Sequence, residues 1–230
     1  MNTMNRIIRM PNFTMTWLFL LVAVLSLSFI QQNELEKKGK EILDKTSKHY
    51  KSSKTVKASF EVSTDNKSEA GKKPIQEQGQ LWLKGNKFKL QFEDQTIFCN
   101  GKYIWTYFAI EKEVTKEDYS ENEDELGPTQ IFSFYNKGFL YKYDGEYTQN
   151  KRKIYKVALT PTDKKKPYFS IILHVDAQNY EIQQMEARYK NGVRQNVIIQ
   201  SQSHNTPFDN ALFEWNPTDF PADFVDDLTD

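Results

Sequence analysis

The chain has 230 residues, with 31 basic against 31 acidic side chains, three His and a single Cys. That balance argues against a dedicated nucleic-acid binder, which gathers a basic excess on one face. The lone Cys99 excludes an internal disulfide, so stability must come from packing. Hydrophobic residues make up 38% while aromatics reach 14%, an excess that suits either an ordinary β core or a carrier cavity. One domain is expected at this length, with room for two small ones.

The N-terminus reads as an export signal. Arg6 and Arg9 are the only charges before Glu34, and an apolar run follows from Trp17 to Leu25 and on through Leu27 to Ile30. Ser26 and Ser28 place small side chains at signal-peptidase spacing, so cleavage after Ser28 is expected, leaving 29–230 as the mature domain. An uncleaved anchor is the alternative, since Phe13 to Ile30 is just long enough to span a bilayer. Cleavage removes two basic side chains and leaves 29 against 31 acidic. No Cys lies near the cleavage point to carry a lipid.

Next, Leu35, Ile42, Leu43, Thr46 and Tyr50 fall on one face of a helix over Asn33 to Tyr50, with Asn33 as its expected N-cap. Period two then takes over: Val56, Ala58, Phe60 and Val62; Ile75, Gly79, Leu81 and Leu83; Phe88, Leu90 and Phe92. Gly85-Asn86, Asn100-Gly101 and Asn191-Gly192 each join two such runs as tight hairpin turns. The stretch Glu117 to Glu125 is strongly acidic but lacks calcium-loop spacing, and it reads as a solvated loop. A second helix is expected from Pro128 to Asn136, apolar nearly all round through Ile131, Phe132, Phe134 and Tyr135. Alternation resumes with Phe169, Ile171, Leu173 and Val175, then Val193, Val197 and Ile199, for about ten strands in a meander.

Catalytic chemistry is sparse. His49, His174 and His204 are widely separated, and none stands in a metal-ligand spacing with another His or with Cys99. There is no Gly-rich phosphate loop and no G-x-S-x-G. Cys99 reads as a small half-buried hydrophobe at a strand end. No enzyme, catalytic residue, cofactor or metal is therefore expected.

Several strings share one family's pattern in order and spacing: Ala58-Ser59-Phe60, Gln78-Gly79-Gln80-Leu81-Trp82-Leu83-Lys84, and Asn100-Gly101-Lys102 before Ile104-Trp105-x-Tyr107. Pro128-Thr129, Leu159-Thr160-Pro161 and Phe213-Glu214-Trp215-Asn216-Pro217 continue the series, so roughly 35 to 225 is covered. The chain resembles the LolA family, the periplasmic carriers of outer-membrane lipoproteins. The resemblance implies a mainly β (α+β) fold: a single strongly curved antiparallel sheet forming an unclosed half-barrel, with short α-helices over its concave face. It implies an apolar cavity for acyl chains, for which the strand residues Phe60, Val62, Leu81, Leu83, Phe88, Leu90 and Phe92 share the required face. Ile42, Leu43, Ile131, Phe132 and Phe134 are the corresponding helical candidates, and Trp82 points the other way.

A periplasmic monomer is expected, with lipoproteins, an inner-membrane lipoprotein-releasing ABC transporter and an outer-membrane acceptor as partners. The same half-barrel also binds glycolipids or other lipids and serves as a sensor domain, which is the alternative reading. In the family an arginine follows the Leu-Trp-x-Lys strand and holds the lid helices; here Gly85 stands there, between Lys84 and Asn86. A lysine lacks the planar fork needed to replace it.

Overall fold

In the computed structural model, residues 13–66, 71, 73–119 and 138–229 are described, with side chains from residue 31 onward. Among the described residues one α-helix, α1 (Phe13–Ser52), precedes twelve strands. The first six are β1 (Val56–Asn66), β2 (Ile75–Lys84), β3 (Lys87–Gln91), β4 (Gln95–Cys99), β5 (Tyr103–Phe108) and β6 (Glu113–Asp118). They are followed by β7 (Phe139–Gln149), β8 (Arg152–Pro161), β9 (Tyr168–Asp176), β10 (Ile182–Tyr189), β11 (Val193–His204) and β12 (Phe224–Asp227). All twelve form one long, curved, unclosed sheet in the order β12-β6-β5-β4-β3-β2-β1-β11-β10-β9-β8-β7. The half-barrel expectation holds. Neighbours are antiparallel except β12, which runs parallel to β6.

The meander has two arms joined where β1 pairs with β11, a contact between chain segments far apart in sequence. Twelve strands stand where about ten were expected, and β6 and β12 have polar sequences with little alternation. The turn at Gly85-Asn86 is a two-residue hairpin closing Lys84 onto Lys87. Only Gly85 has positive φ (+60°) there, the pattern of a II′ turn.

The helix expectation is corrected at its start. Asn33 lies inside α1 and caps nothing, because the apolar N-terminal run continues into the amphipathic segment without a break. Its docking face is as expected: Ile42, Leu43, Thr46 and Tyr50 are buried, joined by Gly39 and Ser47, while Leu35 is half-buried. The helix crosses β7 so closely that a Cβ on Gly39 would lie 3.0 Å from the Tyr143 backbone nitrogen, so any larger residue would push the two backbones apart by a few tenths of an ångström. Lys38 lies 3.6 Å from the centre of the Tyr143 ring beside that crossing. Among the described side chains no helix is long and apolar enough to cross a membrane.

A second correction concerns β9. Phe169 is 50% exposed although it is in phase with buried Ile171 and Leu173. The ladder to β10 slips between Ser170 and Tyr168, so Phe169 is the extra residue of a bulge and Tyr168 turns inward in its place. Ile75, at the start of β2, is likewise exposed because that end of the hairpin extends past the core. Cys99 is fully buried, with its thiol pushed up in pKa by burial. Of the acidic stretch, Glu117 and Asp118 belong to β6. The rest of it from Ser120 on lies outside the described residues, as does the expected helix at Pro128 to Asn136 with Ile131, Phe132 and Phe134.

Candidate functional site

The inner face of the sheet carries one continuous apolar cluster, and it contains all nine described cavity candidates. Ile42 and Leu43 come from α1, and Phe60, Val62, Leu81 and Phe88 from the strands; all six are buried. Leu83, Leu90 and Phe92 pack against them and stay half-buried. Gly79 makes this possible in the middle of β2. A Cβ there would sit 2.5 Å from the Phe60 ring, which lies across the glycine with the Phe92 ring edge-on to it at 5.8 Å. Period-two alternation thus puts these residues on one face, and the register Leu81↔Leu90 and Leu83↔Phe88 sets them side by side.

Cover is uneven along this face. The helix docks chiefly on β7 and touches β8. Leu83, Leu90, Phe92, Ile97 and Ile104 form a half-buried apolar strip continuous with the buried core. A strip of this kind accepts hydrocarbon without having to unfold anything.

The opposite face of the same arm is sealed differently. Phe98, Tyr107 and Val114 are buried there against Trp215, Phe220 and Ala222 of the C-terminal segment. Phe213 is completely buried, and Trp215 donates its indole N–H to the Phe220 carbonyl at 2.9 Å. An open recess of about 530 Å³ remains beside it, lined by Lys89, Phe98, Leu212, Trp215, Pro217 and Phe220. Burial pulls the Lys89 ammonium below its usual pKa, with Asp219 acting against that. Trp82 points to this outer side, between Lys57 and Lys89, as its phase requires.

A match to the family model described as outer membrane lipoprotein carrier protein LolA spans residues 51–216, well over half of the chain. The chain belongs to the LolA family. An uncharacterized conserved protein from Thermus thermophilus has the same fold, with a TM-score of 0.56 at 11% identity, over 84% of this chain and 99% of that one. A LolA superfamily protein from Nitrosomonas europaea aligns with a TM-score of 0.42 at 11% identity, over 77% and 97%. The Mycobacterium tuberculosis lipoprotein LppX aligns at 0.43 and 13%, over 74% and 96%. Curated protein sequences give no match.

Within the LolA family pattern, the residue before Gly85 has an outward role in this chain. Lys84 donates to the Phe208 carbonyl at 3.1 Å and to Asn210 Oδ1 at 3.0 Å, so it ties the C-terminal segment to β2. Gly85 itself closes the hairpin with open space around it.

One grouping has no counterpart in the sequence-based expectations. The fold brings His49, at the end of α1, within 3.4 Å of His204, at the end of β11, measured between Nε2 atoms. Glu181 Oε1 lies 3.7 Å from His49 Nε2 and 3.2 Å from His204 Nε2. The cause is a bulge: Ser59 pairs with Ser201 and Phe60 with Ile199, so Gln200 is skipped and Gln202 and His204 turn inward. Below the group, Tyr50 donates to Gln202 Oε1 at 2.8 Å and accepts from the Ile182 amide at 3.0 Å, and Gln202 Nε2 donates back to the Ile182 carbonyl at 3.2 Å. Burial holds the Tyr50 hydroxyl well above the usual phenol pKa. Burial and the neighbouring His49 lower His204, while Glu181 opposes them.

Proposed function

We propose that this chain is a periplasmic carrier that holds lipoprotein acyl chains against the half-covered inner strip of β2–β5 and ferries them from the inner to the outer membrane. The observation that carries this reading is the strip itself: five inward apolar side chains of one arm stay half-exposed, although they continue the core of the other arm without a gap. Membership of a lipoprotein-carrier family supports the cargo class. The charged, apolar and small-residue order of residues 1–28 supports export, and cleavage after Ser28 leaves the docked stretch of α1, Gly39 to Tyr50, intact. An inner-membrane lipoprotein-releasing transporter would load the carrier, and an outer-membrane acceptor would empty it.

Incomplete cover suits the task. At about 0.8 kcal/mol per buried methylene, a sixteen-carbon chain is worth roughly 12 kcal/mol. Three such chains fully enclosed would exceed the ceiling of about 18–21 kcal/mol seen for non-covalent affinity, and cargo held so tightly would not leave. A strip that buries only one side of each chain keeps release feasible.

Gel filtration of the purified chain with a triacylated lipoprotein tests this directly. A soluble complex is expected for the native chain, and Leu90→Glu should abolish it while the chain stays folded. Failure of the native chain to keep the lipoprotein in solution would refute the proposal. Recovery of glycolipid or phospholipid instead, identified by mass spectrometry of extracts from the native envelope, would reassign the cargo.

A further inference from the structure

We propose that His49, Glu181 and His204 form a zinc site that clamps the end of α1 to the sheet. The three candidate ligand atoms lie 3.4, 3.7 and 3.2 Å apart. Zinc held at about 2.0–2.1 Å by nitrogen and oxygen in a tetrahedron requires ligand–ligand edges of about 3.3–3.4 Å. Octahedral geometry at similar bond lengths would need edges of only about 3.0 Å. The observed triangle therefore fits a tetrahedral ion, and two imidazoles with one carboxylate are ligands that zinc accepts. The three side chains are partly exposed, which leaves the fourth position open to water.

The surroundings prepare the ligands. Ser53 Oγ lies 2.8 Å from His204 Nδ1 and donates to the His49 carbonyl at 3.3 Å. In the tautomer with hydrogen on Nδ1, His204 donates to Ser53 Oγ and its Nε2 lone pair faces the cluster, the usual outer support of a metal-binding histidine. Glu181 is fixed by its turn: the Asp176 amide donates to the Glu181 carbonyl at 2.9 Å, and the Glu181 amide donates to Asn179 Oδ1 at 3.1 Å. Each ligand also sits one or two positions from a member of the Tyr50–Gln202–Ile182 hydrogen-bonded ring. Three elements distant in sequence are thus held rigidly before any ion arrives. With both Nε2 atoms unprotonated, the three atoms are all acceptors, and one cation satisfies them together.

Titration of the full chain, free of any histidine tag, with zinc sulfate against a chromophoric chelator tests the site. One equivalent should bind, and the thermal midpoint should rise with zinc, because an ion that binds only the folded state stabilises it. His49→Ala and His204→Gln should each weaken binding by about 100-fold or more, since losing an outer support alone costs about 10–100-fold. Ser53→Ala, a change in a positioning residue, should weaken it about 10-fold and keep the stoichiometry. His174→Gln, which alters the one remaining histidine, should leave zinc affinity unchanged. Cobalt(II) in place of zinc should give the intense visible absorption of a tetrahedral site. If a histidine variant fails to fold, Glu181→Gln replaces it, with weakened binding expected. Absence of stoichiometric binding, equal affinity in the ligand variants, or an octahedral cobalt spectrum would overturn the assignment.

Discussion

Along β9, the inward side chains Ile171, Leu173 and Val175 are completely buried, whereas Leu83, Leu90 and Ile97 on β2–β4 carry the same alternation and remain half-exposed. The difference lies in what stands over each arm. Gly39 lets α1 settle on β7, and the helix packs chiefly on β7 and β8 rather than on β2–β5. On that other arm the C-terminal segment seals the outer face instead, through Phe213, Trp215 and Phe220. Among the described residues, the inner face is thus completely buried along the middle of β9 and only half-buried at Leu83, Leu90 and Ile97. Identical patterning supports stability in the first and, in the carrier proposal, cargo in the second.

The contrast can be broken most sharply by truncating the closed arm. Leu173→Ala should lower unfolding free energy by about 2–5 kcal/mol in a denaturant titration, as for other fully buried leucines. Gly39→Leu comes next. Its side chain would push into the β7 backbone, and an overpacking cost of about 1–3 kcal/mol should appear together with exposure of the α1 face, readable as increased binding of a hydrophobic dye. Leu90→Ala on the open strip should cost only about 1 kcal/mol in stability, a fraction of a core deletion, because its surroundings are already partly solvated. A loss equal to that of Leu173→Ala would show that the strip is ordinary core.

The smallest effect is a slope with pH. His174 is buried on the outer side of β9, where Tyr147 meets Nδ1 at 2.9 Å and Glu186 meets Nε2 at 2.9 Å, with Lys156 and Asp144 nearby. Burial lowers its pKa, and Glu186 only partly offsets this. The unfolded chain therefore takes up a proton that the folded chain refuses. The contribution is fully present above the unfolded value of about 6.5 and is lost as pH falls through the lower folded value. His174→Gln should flatten that part of a stability–pH profile measured by denaturant unfolding.

Much of the fold was legible in the chain. Val56 to Val62 and Leu81 to Phe92 state their faces by alternation, and the turns at Gly85, Gly101 and Gly192 are announced by composition. Asn33 misled because a local capping signal was outweighed by continuation of the helix, and Phe169 because one bulge inverts a strand's phase. The cavity candidates came together since a face is a local property. The group at His49, Glu181 and His204 had no such signal: His49 is remote in sequence from the other two, and a bulge at Gln200 decides that His204 looks inward.

Sequence by itself determined which residues share a face and where hairpins turn, because periodicity and turn chemistry act over a few residues, and its ordered motifs carried the resemblance to the LolA family. Only the tertiary structure decided where among the described residues α1 docks, how deeply each inward side chain is buried, and which distant side chains converge. Those outcomes follow from where one helix meets a curved sheet and from where single bulges shift its ladders, and neither is encoded in any short stretch.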